Sequence, residues 1–171
     1  MKLLTDWGFR WAGWRDGQRG EYWVVAQGLL LLGFVLLPVY RPAAIAPLLA
    51  DIAGWTLAIA IALGVVAALF LGKGLFDLGQ SLTPLPYPRE DGQLVESGVY
   101  GIVRHPIYSG VLFGAIAWAV YTISLSHALA AIALLIFFDA KARREESWLA
   151  EKYPNYEAYR QRVKRLIPWL Y

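Results

Sequence analysis

Residues 98–110 read Gly98-Val-Tyr-Gly-Ile-Val-Arg104-His105-Pro106-Ile-Tyr108-Ser-Gly110 and stand directly before a long apolar run. Pro106 suits the first turn of a helix, so the stretch predicts where a membrane helix begins. It also brings a cation, an imidazole and a phenol to that boundary. Polar groups are costly at a membrane edge unless they are paired or used. Arg104, His105 and Tyr108 therefore indicate a candidate site as well as a helix start.

The composition is that of an integral membrane protein. The chain has 171 residues, of which 58% are hydrophobic and 17% are charged, whereas soluble domains usually contain about 45–50% apolar residues. The absence of cysteine excludes disulfides and thiolate metal sites. With only His105 and His127, we expect no metal site. A net charge of only +3 gives no support for nucleic-acid binding.

Four apolar runs predict an all-α, polytopic fold with about four transmembrane helices. The runs are 22–40, 52–72, 107–124 and 127–138, and the last reaches spanning length only if its helix continues through 139–144. The link at 124–127 is tight, so the last two helices should form an antiparallel hairpin. Either both cross the bilayer or the pair is shallow, and we favour crossing.

The basic residues predict the orientation of these helices. Every lysine and arginine except Arg41 falls in the N-terminal segment, the 73–106 loop or the C-terminal segment. Four crossings put all three segments on one side, which the positive-inside rule identifies as the cytoplasm. We therefore expect both termini to be cytoplasmic, and the protein to lie in the inner membrane if its source is bacterial.

The segments outside the apolar runs add three expectations. Trp7, Trp11 and Trp14 predict an amphipathic helix on the membrane surface, with an irregular segment as the alternative. Three prolines make the 80–97 loop extended. Pro154 suits the first turn of a C-terminal helix that ends before Pro168. An apolar face for this C-terminal part is predicted from Leu149, Tyr153, Tyr156 and Val163.

The hairpin should bring two polar clusters together. Lys141 and Glu145 are four residues apart and share a helix face. In an antiparallel hairpin they lie at the same membrane face as the Arg104-His105-Pro106 stretch. This convergence beside an apolar cleft predicts a site for a polar cofactor. The alternatives are a headgroup anchor for the first cluster and an ordinary solvated i,i+4 pair for the second.

These elements resemble the isoprenylcysteine carboxyl methyltransferase family, and the phospholipid N-methyltransferases are similar in the Arg-His-Pro-x-Tyr and Glu-Glu elements. The resemblance covers about half of the chain, roughly residues 80–170. It is carried by Leu94-Val95-x-x-Gly98-x-Tyr100-x-x-x-Arg104-His105-Pro106-x-Tyr108-x-Gly110, by Glu145-Glu146-x-x-Leu149 and by Tyr156-x-x-Tyr159-x-x-x-Val163-x-x-x-Ile167-Pro168.

The resemblance implies a membrane methyltransferase that uses S-adenosylmethionine. It divides the single membrane domain, 1–171, into an interfacial segment with two membrane helices, 1–79, and a cofactor-binding core, 80–171. The implied catalytic residues are Arg104, Glu145 and Glu146. The implied cofactor-binding residues are Gln93, Leu94, Val95, Gly98, Tyr100, His105, Pro106, Ile107, Tyr108 and Glu145. Where the family has an arginine four residues before the glutamate, this chain has Lys141, with Arg144 as a possible substitute; both are implied substrate-binding residues.

Methyl transfer agrees with the residue types present. A carboxylate nucleophile needs alignment, desolvation and an orienting cation rather than a general base. We expect a lipophilic or lipidated acceptor, prenylcysteine-like or lipid, to arrive from the bilayer at the cytoplasmic face. A phospholipid amine is an alternative acceptor. Two other classes stay open: an NADPH-dependent sterol-type reductase with Tyr108 as proton donor, and a non-catalytic scaffold.

Overall fold

A computed structural model describes residue 17, residues 19–43 and residues 46–171, with only the backbone described for 46–53. The predicted surface helix with Trp7, Trp11 and Trp14 lies outside these residues.

The described part of the chain is helical, as predicted, and contains no strand beyond a single parallel bridge between Val103 and Lys164. The helices are α1 (Glu21–Leu36), α2 (Ala46–Leu78), α3 (Pro106–Thr122), α4 (Leu125–Lys152) and α5 (Tyr156–Arg162), with 3₁₀ turns at Gly79–Ser81 and Gly98–Gly101.

The first two helices differ in length from the predicted runs. Helix α1 ends at Leu36, and Leu37 is extended with φ −65° and ψ 130°, because a residue that precedes a proline disfavours the helical region. Helix α2 instead continues beyond the apolar run. There Lys73 and Asp77 form an i,i+4 pair at 3.0 Å, which lets the helix extend into polar sequence.

The predicted hairpin is confirmed, and its turn is shorter than expected. Only Ile123 and Ser124 separate α3 from α4. Ile123 adopts the left-handed conformation with φ 48°, which is unfavourable for a β-branched residue. Ser124 caps α4 by accepting a hydrogen bond from the His127 amide, and its hydroxyl lies 2.8 Å from His127 Nδ1.

Two described helices are long and apolar enough to cross a membrane, Gly54–Ser81 and Leu125–Lys152. At 1.5 Å per residue, their 28 residues exceed the roughly 30 Å of a bilayer core. Helices Glu21–Leu36 and Pro106–Thr122 are apolar but shorter. The count of four crossings and the orientation of the termini therefore stay predictions.

Small residues let α2 and α3 pack closely. A Cβ atom at Gly110 would lie 2.9 Å from the Leu71 amide nitrogen and 3.0 Å from the Ala67 carbonyl oxygen. The absence of a side chain at Gly110 therefore sets the separation of these two helices. On the other flank of α3, Leu112 packs with Leu134 and other buried apolar residues of α4.

The C-terminal segment departs from the predicted long helix. Helix α5 begins at Tyr156, two residues after Pro154, and ends at Arg162. The chain then runs alongside the start of α3, where the carbonyls of Lys164 and Arg165 accept the amides of Arg104 and His105 at 2.8 and 3.1 Å. The chain is already extended at Val163, with φ −117° and ψ 137°, which lets the segment after α5 lie beside the start of α3. The predicted apolar face is confirmed, since Leu149, Tyr153, Tyr156 and Val163 pack in one cluster with Tyr159 and Leu94.

Candidate active site

A cavity of about 340 Å³ lies where the C-terminal end of α2, the 82–95 loop, the start of α3 and the middle of α4 meet. This is the end of the hairpin at which the two polar clusters were expected to converge. The predicted site residues in its wall are Gln93, Leu94, Val95, Tyr100, Arg104, His105, Pro106, Ile107, Tyr108, Lys141 and Glu145.

Glu145, His105 and Tyr108 form the polar centre of the cavity wall. The Tyr108 hydroxyl donates to Glu145 Oε2 at 2.7 Å. His105 Nδ1 lies 3.7 Å from the same oxygen, and the imidazole stacks parallel to the Tyr108 ring with centroids 5.3 Å apart. Tyr108 also stacks on Phe138 of α4. Among the described residues, no arginine or lysine forms an ion pair with this carboxylate within 4.0 Å, so it can accept a cationic group of a ligand.

Glu146 does not line the cavity, contrary to the expectation that both glutamates serve the chemistry. It is 3% exposed, and its Oε1 accepts from Arg104 Nη2 at 2.7 Å while its Oε2 accepts from Arg165 Nη2 at 3.0 Å. His105 Nε2 lies 3.2 Å from Oε1. Successive residues of a helix point about 100° apart, so Glu145 and Glu146 cannot face the same cavity.

Arg104 connects this buried carboxylate to the C-terminal segment. Its guanidinium bonds Glu146 and also donates to the carbonyls of Arg160, at 3.1 Å, and Val163. Burial alone would lower the pKa of Arg165, but its hydrogen bonds with Glu146 raise that pKa, so this neighbour also stays cationic. Arg104 touches the cavity, yet most of its donors are committed to holding the fold.

Gly98 and Arg144 also lie outside the cavity wall. Gly98 has φ 61°, and a Cβ there would meet the Asp77 carboxylate at 2.1 Å; that carboxylate accepts the Val99 amide at 3.0 Å. Arg144 is exposed and stacks on Trp148 at 4.2 Å from the ring centroid. Gly98 therefore shapes the loop, and Lys141 rather than Arg144 reaches the cavity.

Buried tyrosines fix the loop that closes the cavity. The Tyr100 hydroxyl donates to the Gly74 carbonyl at 3.3 Å, and the Tyr159 hydroxyl donates to the Tyr100 carbonyl at 2.6 Å. Burial raises the pKa of both phenols above their ordinary range, so they stay neutral donors. The Tyr153 hydroxyl holds the Gly92 carbonyl in the same way at 2.7 Å.

Gln27 of α1 and several apolar residues also line the cavity, although they are not among the predicted site residues. Gln27 Oε1 accepts a 2.6 Å hydrogen bond from Lys141 Nζ. A lone amide within an apolar run was the signal that could have identified it. The unpredicted apolar lining residues include Leu75, Leu78, Leu82, Pro84 and Leu85.

A sequence model described as phospholipid methyltransferase matches residues 55–156, which is more than half of the chain. The chain belongs to the phospholipid methyltransferase family. The predicted resemblance to integral membrane methyltransferases of the isoprenylcysteine carboxyl methyltransferase type is confirmed.

Two curated relatives of this phospholipid methyltransferase family member represent different enzyme classes. Protein-S-isoprenylcysteine O-methyltransferase B of Arabidopsis thaliana is 36% identical over 104 residues, covering 56% of this chain and 51% of that protein. Delta(14)-sterol reductase of Mus musculus is 39% identical over 84 residues, covering 46% and 20%. The chain thus spans about half, or less, of the length of these relatives.

A solved structure shares the fold of this phospholipid methyltransferase family member. The eukaryotic intramembrane Ras methyltransferase, isoprenylcysteine carboxyl methyltransferase, superposes with a TM-score of 0.64 over 90% of this chain and 54% of that one. The sequence identity of 24% makes this a likeness of fold.

Proposed function

We propose that this protein is an S-adenosylmethionine-dependent methyltransferase that modifies a lipophilic acceptor at the cytoplasmic membrane face. The observation that carries the proposal is the Glu145 carboxylate in the cavity wall, oriented by Tyr108 at 2.7 Å without an arginine partner among the described residues. Membership of the phospholipid methyltransferase family supports it.

The residues of the cavity suit this cofactor. Its ammonium group needs an anionic partner, which Glu145 supplies, and its adenosyl part needs apolar and backbone contacts, which Leu94, Val95 and the loop to Tyr100 supply. His105, Pro106 and Ile107 form the remaining wall at the start of α3. When bound, S-adenosylmethionine supplies an electrophilic methyl group on a sulfonium.

The chain's own residues bind and orient rather than transfer protons. Glu145 and the stacked His105–Tyr108 pair would bind the cofactor. Lys141 provides a cation that can bind the acceptor. Arg104 and Glu146 act as positioning residues, because their contacts fix the start of α3 against α4 and the C-terminal segment. The apolar wall at Leu75, Leu78 and elsewhere excludes water from the reacting groups.

Methyl transfer in membranes tests this proposal. Membranes that contain the protein should move labelled methyl groups from S-adenosylmethionine into the lipid-extractable fraction, and S-adenosylhomocysteine should inhibit the transfer. The Glu145→Gln variant should lose this activity, whereas Glu157→Gln on the exposed surface of α5 should keep it. Equal labelling by the wild type and Glu145→Gln would contradict the proposal.

A reductase is the second candidate, because the matched segment of the mouse sterol reductase is 39% identical. A 2′-phosphate of NADPH needs several arginines or lysines directed at one point. In the described cavity wall, Arg104 is bonded to Glu146 and Arg89 to Asp91, at 2.7 and 2.8 Å. Binding of NADPH without binding of S-adenosylhomocysteine would favour the reductase and contradict methyl transfer.

A further inference from the structure

Helix α1 contributes one described residue to the cavity wall, Gln27. Its amide oxygen lies 2.6 Å from Lys141 Nζ, across 114 positions of sequence. The other neighbours of that ammonium are the Pro84 carbonyl at 3.5 Å and the Tyr108 ring at 5.1 Å from its centroid. These three contacts are neutral, and the charge that acts on the ammonium from further away belongs to Glu145, one turn along α4.

Lys141 is 1% exposed, so its positive charge is buried. Among the described residues, no carboxylate lies within 4.0 Å of its Nζ atom. A buried charge whose direct contacts are all neutral is costly, so pairing with an anion in the cavity would be favourable for Lys141. Gln27 and the Pro84 carbonyl accept from two of the three ammonium donors, which leaves one donor for an anion in the cavity.

Each of the other charged side chains in the described cavity wall either has an oppositely charged partner or is the proposed partner of the cofactor. Arg104 bonds Glu146, and Arg89 bonds Asp91. Glu145 accepts from Tyr108 and is the proposed partner of the cofactor ammonium. Lys141 therefore provides the positive charge that remains for the acceptor.

We infer that Gln27 is a specificity-determining residue: it holds Lys141 with a neutral amide and so keeps the lysine charge available for an anionic acceptor group. This inference rests on the proposed function. A glutamate at position 27 would preserve the hydrogen bond but neutralise the charge. The role thus lies in the neutrality of the side chain, not only in its geometry.

With an anionic acceptor, the charges of the two reactants cancel when the methyl group is transferred. The acceptor lone pair forms the new bond to the methyl carbon, and the electron pair of the broken carbon–sulfur bond stays on sulfur. The acceptor anion and the sulfonium both become neutral, and no proton is released. An amine acceptor would instead leave a new cation beside Lys141, which a low-dielectric cavity opposes.

The test compares two ligands with the same apolar chain, N-acetyl-S-farnesylcysteine and its carboxamide, in protein reconstituted in lipid nanodiscs with S-adenosylhomocysteine. The wild type should bind the carboxylate about tenfold or more tightly than the carboxamide, as expected for a charge-assisted hydrogen bond. Gln27→Glu should remove this preference while keeping its affinity for S-adenosylhomocysteine. The matched charge change Gln80→Glu, on an exposed residue outside the cavity wall, should leave the preference intact.

Two results would overturn the inference: equal wild-type affinity for the two ligands, or a carboxylate preference that survives in Gln27→Glu. A merely structural Gln27 would give the second result, because glutamate keeps the acceptor oxygen. Failure of wild-type protein to bind S-adenosylhomocysteine would contradict the proposed function itself, and this inference with it.

Discussion

The hydroxyl of Tyr108 on α3 donates a 2.7 Å hydrogen bond to the carboxylate of Glu145 on α4, and so joins the two arms of the hairpin inside the cavity. The same ring stacks against His105 on one side and Phe138 on another. Tyr108 therefore orients the carboxylate that we propose as the partner of the cofactor ammonium.

Removing only that hydroxyl should weaken the cofactor site without disturbing the fold. Tyr108→Phe keeps both ring contacts but leaves Glu145 without its donor, which should cost roughly 1–2 kcal/mol, or about tenfold in affinity for S-adenosylhomocysteine. Calorimetric titration measures the change. Tyr121→Phe, an exposed ring near the far end of α3, is the matched control. Unaltered affinity in Tyr108→Phe would argue against this orientation of Glu145.

The two adjacent glutamates should respond differently to the same substitution. Glu146→Ala leaves Arg104 and Arg165 without their shared carboxylate, and breaking such a buried pair should cost about 3–5 kcal/mol in the free energy of unfolding. Glu145→Ala should abolish cofactor binding and change stability less. Thermal unfolding in detergent, with S-adenosylhomocysteine titration alongside, separates the effects. A Glu146→Ala protein as stable as the wild type would show that the buried network is misassigned.

His105 should be needed for the cofactor rather than for folding. Its ring stacks on Tyr108 and lies near both glutamates, so His105→Ala should abolish S-adenosylhomocysteine binding while the protein remains folded. Calorimetry and the circular dichroism spectrum check the two halves of this prediction. Wild-type affinity in the variant would remove His105 from the site.

Replacing Gly110 with alanine should destabilise the protein, whereas the same replacement at Gly114, one helical turn away, should not. A Cβ at Gly110 meets backbone atoms of α2 at 2.9 and 3.0 Å, whereas a Cβ at Gly114 meets only the Ala67 Cβ at an ordinary 3.7 Å. Gly110→Ala should therefore lower stability by about 1–3 kcal/mol through overpacking. Gly114→Ala should be neutral or stabilising, since alanine favours helix. Equal melting temperatures for the two variants would refute the close α2–α3 contact.

Local patterns were sufficient to predict much of the fold. The tight link at 124–127 predicted the hairpin, and the last helix does continue through 139–144, as it must to reach spanning length. Helix α1 ends before its apolar run does, because Pro38 restricts Leu37 to an extended conformation that hydropathy does not register. The end of α5 depends on long-range bonds from Arg104 and His105, which no local pattern contains.

The sequence predicted the location of the site residues more accurately than their individual roles. Helical spacing puts Lys141 and Glu145 on one face and Glu146 on another, but which face meets the cavity depends on how α3 and the C-terminal segment pack. Gln27 could not be paired with Lys141 from spacing alone, because the contact joins helices that are far apart in sequence. Tertiary packing therefore separates binding residues from those that hold the fold.

Titration of purified wild-type protein in lipid nanodiscs with S-adenosylhomocysteine and, separately, with NADPH distinguishes the candidate functions. The geometry around Glu145 and Tyr108 predicts saturable binding of S-adenosylhomocysteine, loss of that binding in Glu145→Gln, and no binding of NADPH. Binding of NADPH alone, or of neither ligand, would contradict the assignment of this cavity to methyl transfer.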